Sequence, residues 1–93
     1  MTAAAAETAT LIRSQATYYE NSAAGWQATA ATSEPGEAAE AYRHAALHYA
    51  VAALLCEQAA TVSGDPGDTF SADVFRARSR WCEDAKLKLG GAA

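Results

Sequence analysis

Apolar and polar positions divide the 93-residue chain into three long segments separated by two breaks. Pro35 and Gly36 stand in "TSEPGE" (32–37), and Gly64, Pro66 and Gly67 in "SGDPGD" (63–68). Both clusters carry residues that interrupt helices, and Gly90 and Gly91 make a third break near the end. The segments between them run near 3–31, 36–62 and 69–89.

Each segment has helical periodicity. In the first, Ile12, Ala16, Tyr19, Ala23, Trp26 and Ala30 repeat at spacings of four and three, with Leu11 and Tyr18 beside them. Gly25 interrupts this pattern and marks either a kink or a close helix contact. In the second, Tyr42, Ala45, Tyr49, Ala52, Cys56 and Ala59 repeat in the same way. The third gives Phe70, Val74, Ala77, Trp81 and Ala85, with Cys82 and Leu89 alongside. Thr2 is placed to cap the first helix, with Glu7 near its positive end. Ser33 or Glu34 can cap the second, Pro35 suits its first turn, and Gly64 suits its C-terminal end. Asp68 or Ser71 can cap the third, whose last turn carries Lys86 and Lys88.

Short connections between long helices force antiparallel neighbours. The expected fold is all-α, an up-down-up antiparallel three-helix bundle forming one domain over 1–93. Facing alanine stripes bring helix axes close, and Tyr18, Tyr19, Trp26, Tyr42, Tyr49, Phe70, Phe75 and Trp81 are expected to fill the larger gaps. Composition strengthens this picture. Alanine supplies 26 residues, and alanine loses no side-chain entropy in a helix.

Charge and cysteine usage narrow the function. The net charge of −4 argues against nucleic acid, which needs a basic face. Residues 1–65 hold seven acids and two bases, whereas 66–93 hold four acids and five bases, so only the last segment is mildly basic. Two cysteines make no disulfide scaffold, and they read as small buried thiols too far apart in height to bond. The first residues lack the basic, apolar pattern of a signal peptide. The strongly apolar run at 45–56 is 12 residues, shorter than the roughly 20 a membrane span needs. A cytoplasmic protein with neither a membrane nor nucleic acid as partner is expected.

His44 and His48, in "AYRHAALHYAVAALLCEQAA" (41–60), raise the question of chemistry. With Glu40 they form a row one turn apart, and two histidines at that spacing can share a metal. No further histidine and no HExxH motif exists, so other ligands would have to come from cysteines or acids elsewhere. Amphipathic packing, with a ring nitrogen reaching water or Glu40, is the preferred reading. No Ser/His/Asp pattern, phosphate loop or CxxC motif is present, so no catalytic residue and no cofactor is expected.

The leftover surface says more. Leu47, Val51 and Leu54 form a second apolar stripe on the middle helix, sharing its sector with Arg43, Glu57 and Gln58. Either this helix is enclosed or the leucines are an open patch for a partner or a second copy. Arg76, Arg80 and Asp84 form a charged row on the third helix, which is either solvated or an electrostatic rim beside a groove.

Two stretches, "GEAAEAYRHAALHYAVAALL" (36–55) and "FRARSRWCEDAKLKL" (75–89), resemble helical-hairpin interaction modules of the MIT and tetratricopeptide type. Trp81, Ala85 and Leu89 carry the second helix of that likeness. It implies a groove that accepts a helix or strand of another protein, rimmed by Arg76, Arg80 and Asp84. The first helix departs from the pattern. "GWQ" at 25–27 is not the Trp-x-Gly of the small secreted hairpins of the WXG100 kind, which are set aside. Alanine and threonine bias suits a GC-rich genome, such as an actinobacterium or its phage, and hence a small protein that modulates a host protein. The expected function is a non-enzymatic protein–protein interaction module that binds a partner helix or itself. The alternative is a metal- or ligand-binding bundle using Glu40, His44 and His48.

Overall fold

The computed structural model describes residues 1–91 and consists of three helices: α1 (Ala3–Ala31), α2 (Pro35–Ser63) and α3 (Pro66–Gly91). They form an all-α bundle of 53 × 17 × 13 Å in which α2 packs against both neighbours. Thr2 caps α1 as expected, its Oγ1 accepting from the Ala5 N–H at 3.0 Å. α1 is a single helix through Gly25, whose carbonyl accepts from Thr29 Oγ1 at 3.1 Å. Neither expected side-chain cap forms on α2. The N-cap residue Glu34 makes no side-chain capping bond, and Ser33 Oγ donates back to the Thr29 carbonyl at 2.7 Å. Gly64 ends α2 at φ 70°, a left-handed conformation that favours glycine.

α3 begins at Pro66, three residues earlier than the breaker pattern suggests. Proline at the first helical position lacks only an N–H that would go unpaired there anyway. Asp65 stands where the cap is needed, and its Oδ1 accepts from the Gly67 N–H at 2.8 Å. Asp68, expected as a cap, lies inside the first turn instead and is buried.

Alanine rows build the helix contacts. On α1 every buried residue is the seventh from the last: Ala9, Ala16, Ala23 and Ala30. Ala38, Ala45, Ala52 and Ala59 repeat identically on α2, and Ala30 packs with Ala38 at one end of this seam. A second row on α2, including Ala46 and Ala53, serves α3. There Ser79 Oγ donates to the Ala46 carbonyl at 2.8 Å, so a polar side chain sits in the seam without an unmet hydrogen bond.

Tyr42, Tyr49 and Cys56 lie between these two rows, about 40° around the helix from the first. Tyr49 is 3% exposed and touches all that surrounds it. Its hydroxyl donates to Gln27 Oε1 of α1 at 3.0 Å, and its ring stacks on Phe75 of α3 with centroids 6.3 Å apart. The Arg78 guanidinium lies over both rings, at 5.9 and 5.7 Å.

The expected core of α3 is displaced by about a quarter turn. Phe70 is 69% and Trp81 55% exposed, and Ala77 is exposed as well. The buried stripe is Asp68, Ala72, Phe75 and Cys82, with Leu89 packed on Ala30, Ala38 and Ala41. Of the aromatic residues expected to fill gaps, only Tyr49 and Phe75 are buried. Tyr19 and Tyr42 are half-buried, Trp26 lies at the edge, and Tyr18 is exposed.

α1 and α3 meet through side chains across the cleft above α2. Arg13 Nε and Nη2 donate to the two oxygens of Asp68 at 2.8 and 2.7 Å, and Arg78 pairs with Glu20 at 3.1 Å. Asp68 also accepts from Ser63 Oγ at 2.7 Å, and that oxygen accepts from the Asp65 N–H at 3.0 Å. The Arg13 bonds, helped by Ser63 and opposed by burial, hold the Asp68 carboxyl below its usual range. A depressed carboxyl stabilises the fold fully above its unfolded value of about 3.9 and loses that contribution as pH falls through the lower folded value. Urea midpoints should therefore fall steeply below about pH 4 in the native chain and less steeply in Asp68→Asn. An unchanged acid limb in the variant would contradict this role.

Candidate protein-interaction surface

The far side of α2 from Tyr49 is open. Leu47 is 53% and Leu54 59% exposed, and Val51 beside them is half-buried. α2 is thus central yet covered on two sides only. Along one edge of this rear face, Ala50, Ala53 and Leu54 of α2 and Arg76, Ser79 and Arg80 of α3 line a shallow groove of ≈ 330 Å³. Arg76 is held by Glu57 across the groove and by Asp73, at 3.3 Å, on its own helix. Arg80 makes no ion pair among the described residues.

Asp84 is not part of that rim. Asp84 instead lines a larger groove of ≈ 460 Å³ between the end of α1 and the end of α3. Tyr42 and Ala38 form the floor there, and Trp81, Ala85, Lys88 and Leu89 form one wall. Trp81 packs edge-on to Tyr42 with centroids 5.9 Å apart. Sequence reasoning assigned Trp81 to the core. The heptad Phe75–Cys82–Leu89 was the available signal that another face is buried, leaving Trp81 and Phe70 outside.

The histidines are engaged separately. His44 stacks on Trp26, with centroids 4.4 Å apart and planes at 23°, and its Nε2 lies 3.5 Å from Glu40. Glu40 in turn accepts from Arg43, which holds its carboxyl below the usual range. His48 Nδ1 shares a 2.8 Å hydrogen bond with Ser22 Oγ, and its ring meets Tyr19 edge-on. Both rings therefore help join α2 to α1. Among the described residues no group of three or more His, Cys, Asp or Glu side chains is gathered to hold a metal ion. Cys56 and Cys82 are free and buried, and burial pushes both thiols up.

By length and composition α2 could cross a membrane, as its best 18-residue window has a mean hydropathy of 1.3. That capacity exceeds what the 12-residue run at 45–56 suggests, because alanines extend the apolar stretch at both ends. Its apolarity serves two helix seams here. No known protein family, curated protein or solved structure matches the chain.

Proposed function

We propose that this chain is a non-enzymatic helical module that acts in the cytosol by binding a protein through the rear of α2 and its groove with α3. The observation that carries the reading is the pair of leucines, Leu47 and Leu54, more than half exposed on a helix whose other large apolar side chains are packed. Leucines a heptad apart present the knobs that a partner helix accepts. Arg80 beside Leu54 supplies a charge at the rim, where charges choose partner and register more than they add affinity. The likeness of 36–55 and 75–89 to MIT and tetratricopeptide hairpins supports the same use of this groove. The separate engagement of His44 and His48 gives the metal-binding alternative no support.

Tagged chain, native or Leu54→Asp, tests the reading by comparative capture from the source cells. The native chain should retain at least one protein, its own untagged copy included, about 10-fold or more better than the variant. Identical retained sets would overturn it. Since Leu54 is exposed, the variant keeps its helical circular dichroism.

A further inference from the structure

We propose that the fold contains an acid-released segment: residues 3–18 of α1 lift from α2 when the carboxyls of Asp68 and Glu20 take up protons, while the rest of the bundle stays folded. α1 is tied unevenly along its length. In its first part only two alanines are buried, Ala9 and Ala16, with Ile12 half-buried. Alanines remove little apolar surface from water, so this part depends on its polar ties.

Both of those ties run to α3 and both need a carboxylate. Arg13 donates twice to Asp68, and Glu20, at the end of this part, accepts from Arg78. From Tyr19 onward the ties change kind and run to α2. Tyr19 packs on the core and meets His48 edge-on, Ser22 shares a hydrogen bond with His48, Trp26 stacks on His44, and Gln27 accepts from the Tyr49 hydroxyl. Acid spares these contacts. The Ser22 hydroxyl can accept from a protonated His48, and the indole face of Trp26 attracts a protonated His44. The carboxyls have few other neighbours that carry charge. Asp68 faces Arg13 of α1 and Cys56 of α2, with Asp65 beside Arg13 in the turn. Glu20 faces Arg78 of α3 and Tyr49 and Cys56 of α2. Protonation therefore leaves one guanidinium without its partner on each side of the cleft, Arg13 on α1 and Arg78 on α3, and their repulsion favours opening. Because Arg13 holds the Asp68 carboxyl below its usual range, this tie is complete above about pH 4 and is lost as the pH falls through the lower folded value. α3 has no such weakness. It is held by Ala72, Phe75 and Cys82 in the core and by the Ser79 bond to the Ala46 carbonyl, none of which changes charge in acid.

NMR of the isotope-labelled intact chain, titrated at low salt from about pH 7 to 2, tests the proposal. The Cα shifts of residues 3–18 should move to random-coil values between about pH 4 and 2, while those of 22–31, α2 and α3 stay helical. The two buried cysteines give a second readout. Cys56 shares the core with Ala16 and lies among the charges of Arg13, Glu20 and Asp68, whereas Cys82 belongs to α3. Near pH 3.5 dithiodipyridine, which reacts with thiols in acid, should therefore label Cys56 about 10-fold or more faster than Cys82. Asp68→Asn combined with Glu20→Gln should loosen residues 3–18 already at neutral pH and abolish the acid step. Loss of all three helices together overturns the proposal, and so does departure of α1 as a whole. Residues 3–18 that stay helical to the end of the titration overturn it too, as do equal labelling of the two cysteines and an acid step that survives in the double variant. The titration of the native chain decides by itself if the double variant does not fold.

Discussion

Tyr49→Ala is expected to cost about 3–5 kcal/mol, as truncation of a buried aromatic ring commonly does. A domain this small has roughly 5 kcal/mol or little more to lose, so the variant should be substantially unfolded before any denaturant is added. The reason is position. The ring fills the space between the two alanine rows of α2, lies against Phe75 and beneath Arg78, and bonds through its hydroxyl to Gln27. Deletion empties a space bordered by all three helices, and the alanines around it are too small to collapse into the void. Tyr49→Phe keeps the ring and loses one hydrogen bond, for about 1 kcal/mol. Urea titrations followed by circular dichroism compare the two. Equal losses would mean that the ring is not a packed centre.

Ala52→Leu should be nearly as damaging, although it adds apolar atoms. Ala52 is fully buried, with none of its surface exposed, and belongs to the seam with α1. Overpacking usually costs about 1–3 kcal/mol, and the upper end applies where the opposing residues are alanines on a continuous helix that can yield only by moving as a whole. Two residues further on, Leu54→Ala exchanges leucine for alanine at an exposed position and should change monomer stability by less than about 0.5 kcal/mol. Thermal melts should separate the pair by roughly 10 °C or more, at about 4–8 °C per kcal/mol. Similar melting points would show that the seam has room to spare.

The first two helices were legible because their buried positions are alanines and tyrosines at unbroken three-and-four spacing. Ala16, Ala23 and Ala30 were read correctly, as were Ala45, Tyr49, Ala52, Cys56 and Ala59. The third was not, because size misled. Phe70, Val74 and Trp81 look like a core stripe by volume, but a row of alanines on α2 accepts a mixed stripe of Ala72, Phe75, Ser79 and Cys82. Ser79 carries no hydrophobic signal, and it becomes suitable only once the Ala46 carbonyl is in reach. Asp68 shows the same limit. Nothing local marks it as a buried carboxylate, since its partner Arg13 lies 55 residues away. The rear leucines were legible because they share a sector with Arg43, Glu57 and Gln58. The separation of Asp84 from Arg80 was not, since it depends on where α1 ends relative to α3.

The cleft between α1 and α3 also governs how the molecule comes apart. Each outer helix lies on α2 like a cover on a spine, and the covers are latched by Arg13–Asp68 and Glu20–Arg78. Opening one cover breaks one alanine seam and its latches but leaves the other seam whole. Local unfolding can thus release α1 or α3 alone, exposing its amides to exchange with solvent while the remaining hairpin persists. The amides of α2 have no such exit. They exchange last, after both covers have lifted.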